Sequence, residues 1–276
     1  MKTISIQGNE GSFSHIAASS IFGKNIKLLE RDSFNEVFSD VHEKLAEYCV
    51  IPIENSTYGS VYQNFDLLTK NNLHIIKEIY LIINFHLISF PGNKIEDLNE
   101  LHTHPVAMGQ IQSFLRKHKN LKPIEFPDTA GSVRMIKEKN LKNAAAAASR
   151  FSAEIYNMEI IEEKIQENKK NYTRFFVLSP EEEFSKDSDK TTIEFELGEE
   201  SGSLHKSLEI FANENISLTK IESRPILNTQ WEYLFYIDVM AGIQEERMKR
   251  SISKLKKIVK DFRILGSYKK GEYIQT

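Results

Sequence analysis

The chain has 276 residues, of which 40% are hydrophobic and 27% charged, and its formal net charge is −3. This length favours two domains, and the near balance of 36 basic and 39 acidic residues gives no electrostatic reason to expect nucleic acid as a partner. No apolar run approaches the ~20 residues of a membrane span. The single cysteine, Cys49, excludes a disulfide within the chain, and the absence of a signal peptide predicts a cytoplasmic protein.

The first third of the sequence alternates β-prone and helical segments. A strand is expected over 3–7, and apolar residues at helical spacing follow from Phe13. Ser33 and Glu36 have the spacing of a capping box, which predicts the start of a second helix. Residues 48–53 are predicted to form a buried strand that contains Cys49 and leads directly into a polar turn. A helix over Val61, Phe65 and Leu68 is expected after that turn.

A long β-prone run over 75–89 predicts a strand that crosses between two lobes. A second α/β series follows, with helical stripes around Met108 and around Val133. Five consecutive alanines over 144–148 fit either a helix or a tightly packed strand, and their periodicity does not decide between the two. Residues 173–179 are expected to form another strand.

The polar stretch over 180–190 is the best candidate for a linker between domains. We place a first domain at 1–183, the linker at 184–190 and a second domain at 191–276. The pattern of the second domain is strand, helix, strand, strand, helix, strand, which is the ferredoxin-like βαββαβ order. Such a domain has both helices on one face of its sheet, so the other face must be covered or must bind something.

Several spaced blocks together resemble the prephenate dehydratase family. They are Gly8-Asn9-Glu10-Gly11-Ser12-Phe13-Ser14, Ile51-Pro52-Ile53-Glu54-Asn55-Ser56 with Gly59-Ser60-Val61, Thr103-His104-Pro105, and Asn171-Tyr172-Thr173-Arg174-Phe175. The second domain is similar to an ACT domain in Gly202-Ser203-Leu204 and in Glu222-Ser223-Arg224-Pro225. The resemblance covers nearly the whole chain. No chorismate mutase segment precedes the first block, so the resemblance is to the monofunctional form.

The resemblance implies an α/β protein, with a two-lobed catalytic domain like that of periplasmic binding proteins followed by a ferredoxin-like ACT regulatory domain. It also implies an enzyme, a carbon–oxygen lyase that converts prephenate to phenylpyruvate in phenylalanine synthesis. Neither a metal nor another cofactor is expected. L-Phenylalanine is the expected allosteric effector, bound between ACT domains of two subunits, so a homodimer or homotetramer is expected. No nucleic acid or membrane partner is expected.

The same resemblance assigns roles to individual residues. Thr173 is the expected catalytic acid, and the expected substrate-binding residues are Ser12, Glu54, Asn55, Ser56, Gly59, His104, Asn171, Arg174 and Phe175. A guanidinium such as that of Arg174 can pair with a carboxylate through two hydrogen bonds. Serines near a helix N-terminus can hold an anion or cap the helix. The expected effector-binding residues are Gly202, Ser203, Leu204, Glu222, Ser223, Arg224 and Pro225.

Two other functions stay open at the level of sequence. Arogenate dehydratase has the same chemistry on the transaminated substrate, and no residue separates the two substrates. A non-catalytic amino-acid sensor would share the cleft and the ACT domain but would not need a hydroxyl donor such as Thr173. The Asn171-Tyr172-Thr173-Arg174-Phe175 block therefore favours an enzyme.

Overall fold

The computed structural model describes residues 1–226, 229 and 232–275. Its strands are β1 (Lys2–Gln7), β2 (Ile26–Arg31), β3 (Tyr48–Asn55), β4 (Gly59–Ser60), β5 (His74–Ile82), β6 (His86–Ser89), β7 (Glu100–Thr103), β8 (Lys122–Glu125), β9 (Ala144–Ala148), β10 (Glu159–Glu162), β11 (Tyr172–Ser179), β12 (Lys190–Glu196), β13 (Leu218–Pro225), β14 (Tyr233–Val239), β15 (Asp261–Tyr268) and β16 (Tyr273–Ile274).

The helices are α1 (Phe13–Phe22), α2 (Phe34–His42), α3 (Tyr62–Asn71), α4 (Pro105–Gln110), α5 (Gln112–Lys117), α6 (Thr129–Glu138), α7 (Arg150–Tyr156), α8 (Ser203–Asn213) and α9 (Glu246–Leu255), with a short 3-10 turn at Ile95–Asp97. The capping box predicted for α2 is confirmed, because the Ser33 and Glu36 side chains each bond the other residue's backbone N–H. None of the helices among the described residues has the length and hydropathy needed to cross a membrane.

The chain divides into two compact units. The first comprises 1–65, 79–175 and 273–276, and the second comprises 66–78 and 176–272. The division falls within α3, β5 and β11. The segment between β11 and β12, where the linker was predicted, has no helix or strand.

The first unit contains two α/β lobes, each built around its own sheet. One sheet has the order β16-β5-β11-β3-β1-β2, with β4 paired to β3, and the other has the order β10-β6-β9-β7-β8. The run predicted as one crossing strand is instead two strands, because β5 and β6 belong to different sheets. The chain does cross between lobes there. The two-lobed arrangement predicted from the sequence is confirmed.

The five alanines form β9, and all of them are fully buried. Three of them, Ala144, Ala146 and Ala148, pack in one cluster with Val133 and Ile136 of α6. Methyl side chains allow a helix to approach the sheet closely, which explains why a strand here contains residues of low β propensity.

The second unit has the predicted βαββαβ order. Its sheet has the strand order β13-β14-β12-β15, and all its described pairings are antiparallel. Phe211 of α8 and Met248 of α9 share a core cluster with Ile193 and Ile237, so both helices pack on one face. This confirms the ferredoxin-like arrangement.

The opposite face of that sheet carries polar groups and is covered by the segment 66–78. Lys190 Nζ lies 3.0 Å from both carboxylate oxygens of Glu78 and 3.6 Å from Asp238 Oδ2, and all three side chains are buried. Thr69 Oγ1 donates to Glu194 Oε2 at 2.9 Å. Buried charges must be paired to be tolerated, and here the pairing also joins the 66–78 segment to the sheet.

Candidate active site

A cavity of about 520 Å³ lies in the first unit. Elements of both lobes line it, including Ser12, Asn55 and Thr173 on one side and His104 and Asp128 on the other. The structure therefore brings together residues that are more than a hundred positions apart in the chain.

Strand β11 directs alternate side chains to opposite sides. Thr173 and Phe175 line the cavity and are 8% and 2% exposed. The side chain of Arg174, between them, is buried outside the cavity lining. Its Nη1 lies 3.9 Å from Glu54 Oε2, and its guanidinium carbon lies 5.9 Å from the ring centre of Tyr80. This alternation is a property of any strand. The described residues that line the cavity therefore include neither Arg174 nor Glu54, both expected from the sequence to bind substrate.

Asn55 orients the hydroxyl of Thr173. Its Oδ1 accepts the backbone N–H groups of Thr57 and Tyr58, both at 2.9 Å, which fixes the orientation of the amide. Its Nδ2 then donates to Thr173 Oγ1 at 2.9 Å. Because the oxygen of Thr173 accepts this bond, its own proton is available to point into the cavity that the side chain lines.

Two further side-chain amides, those of Asn171 and Gln110, continue the hydrogen-bonded chain from Asn55. Asn55 Nδ2 also donates to Asn171 Oδ1 at 2.8 Å, and Asn171 Nδ2 donates to Gln110 Oε1 of α4. Asn171 is 1% exposed and does not line the cavity, whereas Gln110 does. Asn171 therefore supports the orientation of Asn55. Gln110 was not singled out in the sequence, because its partner lies 61 positions away.

Ser56 and Gly59 shape the turn that carries Asn55. Ser56 Oγ accepts the Tyr172 N–H at 2.9 Å, and the Ser56 N–H donates to the Tyr172 carbonyl at 2.8 Å, which ties the turn to β11. Gly59 has φ +81 and pairs with Asn55 across the β3–β4 hairpin. Neither residue lines the cavity.

Helix N-termini surround the cavity. Ser12, Ser33 and Asp128 are the N-caps of α1, α2 and α6, and all three line it. Ser12 Oγ accepts the His15 N–H at 3.3 Å, as an N-cap does. An α-helix places about half a positive charge at its N-terminus, so the ends of α1 and α2, which neutral serines cap, favour a bound anion. At α6 the carboxylate of Asp128 already accepts the Gly131 N–H and offsets the dipole.

The ionisable side chains of the lining are acids and one histidine. Burial raises the pKa of Asp128 above its ordinary value, although the N–H groups of Gly131, at 2.7 Å, and Asn9, at 3.1 Å, partly oppose this. Burial lowers the pKa of His104 below its ordinary value, and its Nδ1 accepts the Val106 N–H at 3.2 Å. Among the described residues, the lining contains no lysine or arginine. The groups of the lining that offer partial positive charge are therefore backbone N–H groups.

A second, smaller cavity of about 240 Å³ lies in the second unit. Ser203 and Leu204 line it together with Tyr233 and Phe235. Gly202, with φ +80, is the N-cap of α8 and directs the chain into this helix. These residues were the first block expected to bind an effector.

The second expected effector block lies on β13 and has other partners. Arg224 donates from Nε and Nη2 to the two carboxylate oxygens of Asp66, at 3.0 and 2.8 Å. Glu222 pairs with Lys220 at 3.4 Å. Ser223 and Pro225 are exposed on the other side of the strand. The described lining of the smaller cavity includes none of these residues.

No group of three or more His, Cys, Asp or Glu side chains in the described part of the chain is placed to hold a metal ion. Cys49 is buried in β3, as expected, and burial raises the pKa of its thiol well above the ordinary value.

Comparisons with known proteins agree with one another. The model of the prephenate dehydratase family matches residues 4–183. A bifunctional chorismate mutase/prephenate dehydratase of Buchnera aphidicola is 36% identical over 273 residues, which are 97% of this chain and 71% of that protein. Arogenate dehydratase/prephenate dehydratase 2 of Arabidopsis thaliana is also 36% identical, over 96% of this chain and 72% of that protein.

A solved structure extends the likeness to the fold. The prephenate dehydratase of Arthrobacter aurescens, crystallised in complex with L-Phe, superposes with a TM-score of 0.89 and 26% identity, over 97% of this chain and 90% of that one. Sequence and fold thus agree over almost the whole length, and we conclude that the chain is an enzyme of the prephenate dehydratase family.

Proposed function

We propose that this protein converts prephenate to phenylpyruvate in the synthesis of phenylalanine, and that Thr173 is its catalytic acid. The observation that carries the proposal is the hydrogen bond from Asn55 to Thr173 Oγ1, which leaves the hydroxyl proton free to point into the cavity that Thr173 lines. Such a synthetic role is the ground for proposing the cytoplasm as its location.

The reaction requires the protein mainly to bind and orient the substrate and to place a proton donor at the leaving hydroxyl. The ring carboxylate of prephenate leaves as carbon dioxide, its electron pair completes the aromatic ring, and the ring hydroxyl leaves as water after it receives a proton. A threonine hydroxyl is a weak acid in water, but a donor fixed at the leaving group contributes typically ~10²–10⁴-fold. We propose no metal or cofactor.

Backbone N–H groups at two helix N-termini of the cavity suit the carboxylates of the substrate. The N-termini of α1 and α2, capped by Ser12 and Ser33, offer partial positive charge without any long cationic side chain. Phe175 supplies an apolar wall suited to the ring. Because Nδ1 of His104 accepts the Val106 N–H, its other ring nitrogen can donate one hydrogen bond to the substrate.

Turnover with two substrates tests this proposal. Purified, chelator-treated protein is offered prephenate and L-arogenate separately, and phenylpyruvate and phenylalanine are measured. The proposal predicts phenylpyruvate from prephenate. Phenylalanine formed from arogenate alone would reassign the substrate. If neither compound is consumed, the remaining alternative is a non-catalytic sensor.

We also propose that the second domain, 191–276, is an ACT domain that binds L-phenylalanine as a feedback inhibitor, after a catalytic domain at 1–183 and a linker at 184–190. The ferredoxin-like arrangement, the cavity at Ser203 and Leu204, and a relative crystallised with L-Phe support it. We place the site between ACT domains of two subunits of a homodimer or homotetramer, where Glu222, Ser223, Arg224 and Pro225 would contribute from β13.

Calorimetry tests the effector site. Ser203→Tyr fills the smaller cavity, so it should abolish binding of L-phenylalanine and leave basal turnover unchanged. Ser201→Tyr, at an exposed neighbouring position outside the lining, is the matched control and should bind normally. Undiminished binding by Ser203→Tyr would place the effector elsewhere.

A further inference from the structure

Strand β16 belongs to the first compact unit, which contains the cavity. Residues 273–276 group with the first compact unit, although the preceding residues 176–272 group with the second. Strand β16 pairs in parallel with β5, with Tyr273 opposite Tyr80 and Ile274 opposite Leu81. Strand β16 thus extends the sheet that contains β11.

Tyr273 makes two ring contacts there. Its ring stacks on Tyr80, with centroids 4.9 Å apart and an interplanar angle of 19°. It also meets Tyr172 edge to face, at 5.2 Å and 88°. Both geometries are among those that aromatic pairs prefer.

Tyr172 directly precedes Thr173, so these contacts act on the catalytic strand. The backbone of Tyr172 is bonded on one side to Ser56 through both its N–H and its carbonyl. Its ring is held on the other side by Tyr273. Tyr80 contacts Arg174, the residue that follows Thr173 on β11, since the Arg174 guanidinium lies over the Tyr80 ring. The two neighbours of Thr173 on β11 therefore both contact aromatic rings: Tyr172 contacts Tyr273, and Arg174 contacts Tyr80.

We propose that Tyr273 is a positioning residue for the reaction. Its ring fixes Tyr172 and, through the backbone of β11, the direction in which the Thr173 hydroxyl points. Tyr273 does not line the cavity and is 61% exposed, so it acts through Tyr172 and not on the substrate. The inference rests on the proposed role of Thr173.

Because the ring of Tyr273 makes both contacts, variants that keep or remove the ring test its role. Tyr273→Phe keeps both contacts and Tyr273→Ala removes them. Gln275→Ala, at an exposed position just beyond β16, is the matched control. All are made in the full chain, and kcat, KM and the thermal midpoint are measured for each.

Tyr273→Ala should lower kcat for prephenate by about tenfold, less than the ~10²-fold that a 1 Å misplacement costs, with KM within about twofold of wild type. Tyr273→Phe and Gln275→Ala should keep most of the wild-type kcat. A wild-type kcat in Tyr273→Ala, or a loss that Phe does not rescue, would overturn the proposal. So would a lowered thermal midpoint with unchanged kcat, because that describes a purely structural residue.

Hydrogen exchange separates this inference from the proposed function. The amides of 172–175 should exchange faster in Tyr273→Ala than in Tyr273→Phe, whether or not prephenate proves to be the substrate. Equal exchange in the two variants would contradict the positioning role. A wild-type protein inactive on prephenate and arogenate, with faster exchange in Tyr273→Ala, would instead contradict the proposed function alone.

Discussion

At the scale of single residues, the polarity of one hydrogen bond decides what Thr173 can do. Two backbone donors occupy Asn55 Oδ1, so the amide nitrogen must face Thr173. The sequence pattern indicated both residues, but it did not indicate their relation, because 118 positions separate them. It also grouped Arg174 with them, and the alternation of β11 turns that side chain away from the cavity.

The variant Asn55→Asp tests this polarity with almost no change of shape. The carboxylate still accepts from the turn, but it faces Thr173 Oγ1 with a second acceptor. The threonine proton would then turn toward the aspartate, and kcat should fall by roughly two to four orders of magnitude, as for loss of the acid.

Asn55→Gln is not a suitable control, since its longer side chain would disturb the turn; Ser56→Thr, which keeps a hydroxyl outside the cavity lining, should retain most of the activity. A wild-type kcat in Asn55→Asp would show that the Thr173 hydroxyl does not depend on this donor.

At the scale of elements, the β-prone run over 75–89 shows what periodicity misses. The chain leaves β5 after Ile82 and enters β6 at His86. Between them, Phe85 N–H donates to Gln166 Oε1 at 3.0 Å, and Gln166 Nε2 donates to Asn84 Oδ1 at 2.8 Å. Contacts with a residue about 80 positions away interrupt the run, and local sequence does not encode them.

The glycine loop before α1 is also specified by a distant element. A Cβ on Gly11 would lie 2.9 Å from the backbone Cα of Ser152 in α7, and Gly11 has φ +86. Ser149 Oγ and Ser152 Oγ both donate to the Gly11 carbonyl, at 2.7 and 2.9 Å. Gly11 therefore permits both the left-handed turn and the close approach of α7.

Gly11→Ala should accordingly lower the free energy of unfolding by about 1–3 kcal/mol for the backbone conformation and by more for the clash. Gly92→Ala is the matched control, because Gly92 has φ +85 but nothing within 4 Å of its Cβ position. Urea unfolding measures both. Equal losses in the two variants would mean that the approach of α7 contributes nothing.

At the scale of the whole molecule, the sequence predicted the two-lobed fold and the ferredoxin-like fold. It did not predict which segments of the chain belong to each compact unit. The open face of the βαββαβ sheet was expected to be covered or to bind something. Residues 66–78 cover it, and Asp66, Thr69 and Glu78 meet partners more than 110 positions away. The apolar pattern also did not predict that 273–276 group with the first unit, because β16 has only two residues and so shows no periodicity.

The stability of the molecule toward acid should depend on His86. Burial lowers the pKa of this buried side chain to about 4, from an ordinary value of 6.5. Between those values the unfolded chain takes up a proton that the folded chain does not. Folding stability is therefore full above pH 6.5 and declines as the pH falls toward 4, by at most about 1.4 kcal/mol per pH unit.

Urea unfolding at pH 7.5 and pH 5 measures this dependence. His86→Gln should flatten the change in unfolding free energy between the two pH values, whereas His205→Gln, at an exposed position, should leave it as in wild type. An unchanged slope in His86→Gln would show that other groups set the acid limit.

We propose Thr173 as the catalytic acid of a prephenate dehydratase, acting through a hydroxyl that lines the cavity. The most direct measurement is kcat on prephenate for wild type, Thr173→Ser and Thr173→Ala, with folding checked by thermal unfolding. We expect turnover by wild type, much of it retained in Thr173→Ser, and a loss of roughly two to four orders of magnitude in Thr173→Ala. Equal losses in both folded variants would assign the role to the threonine methyl group, and undiminished turnover in Thr173→Ala would contradict the claim.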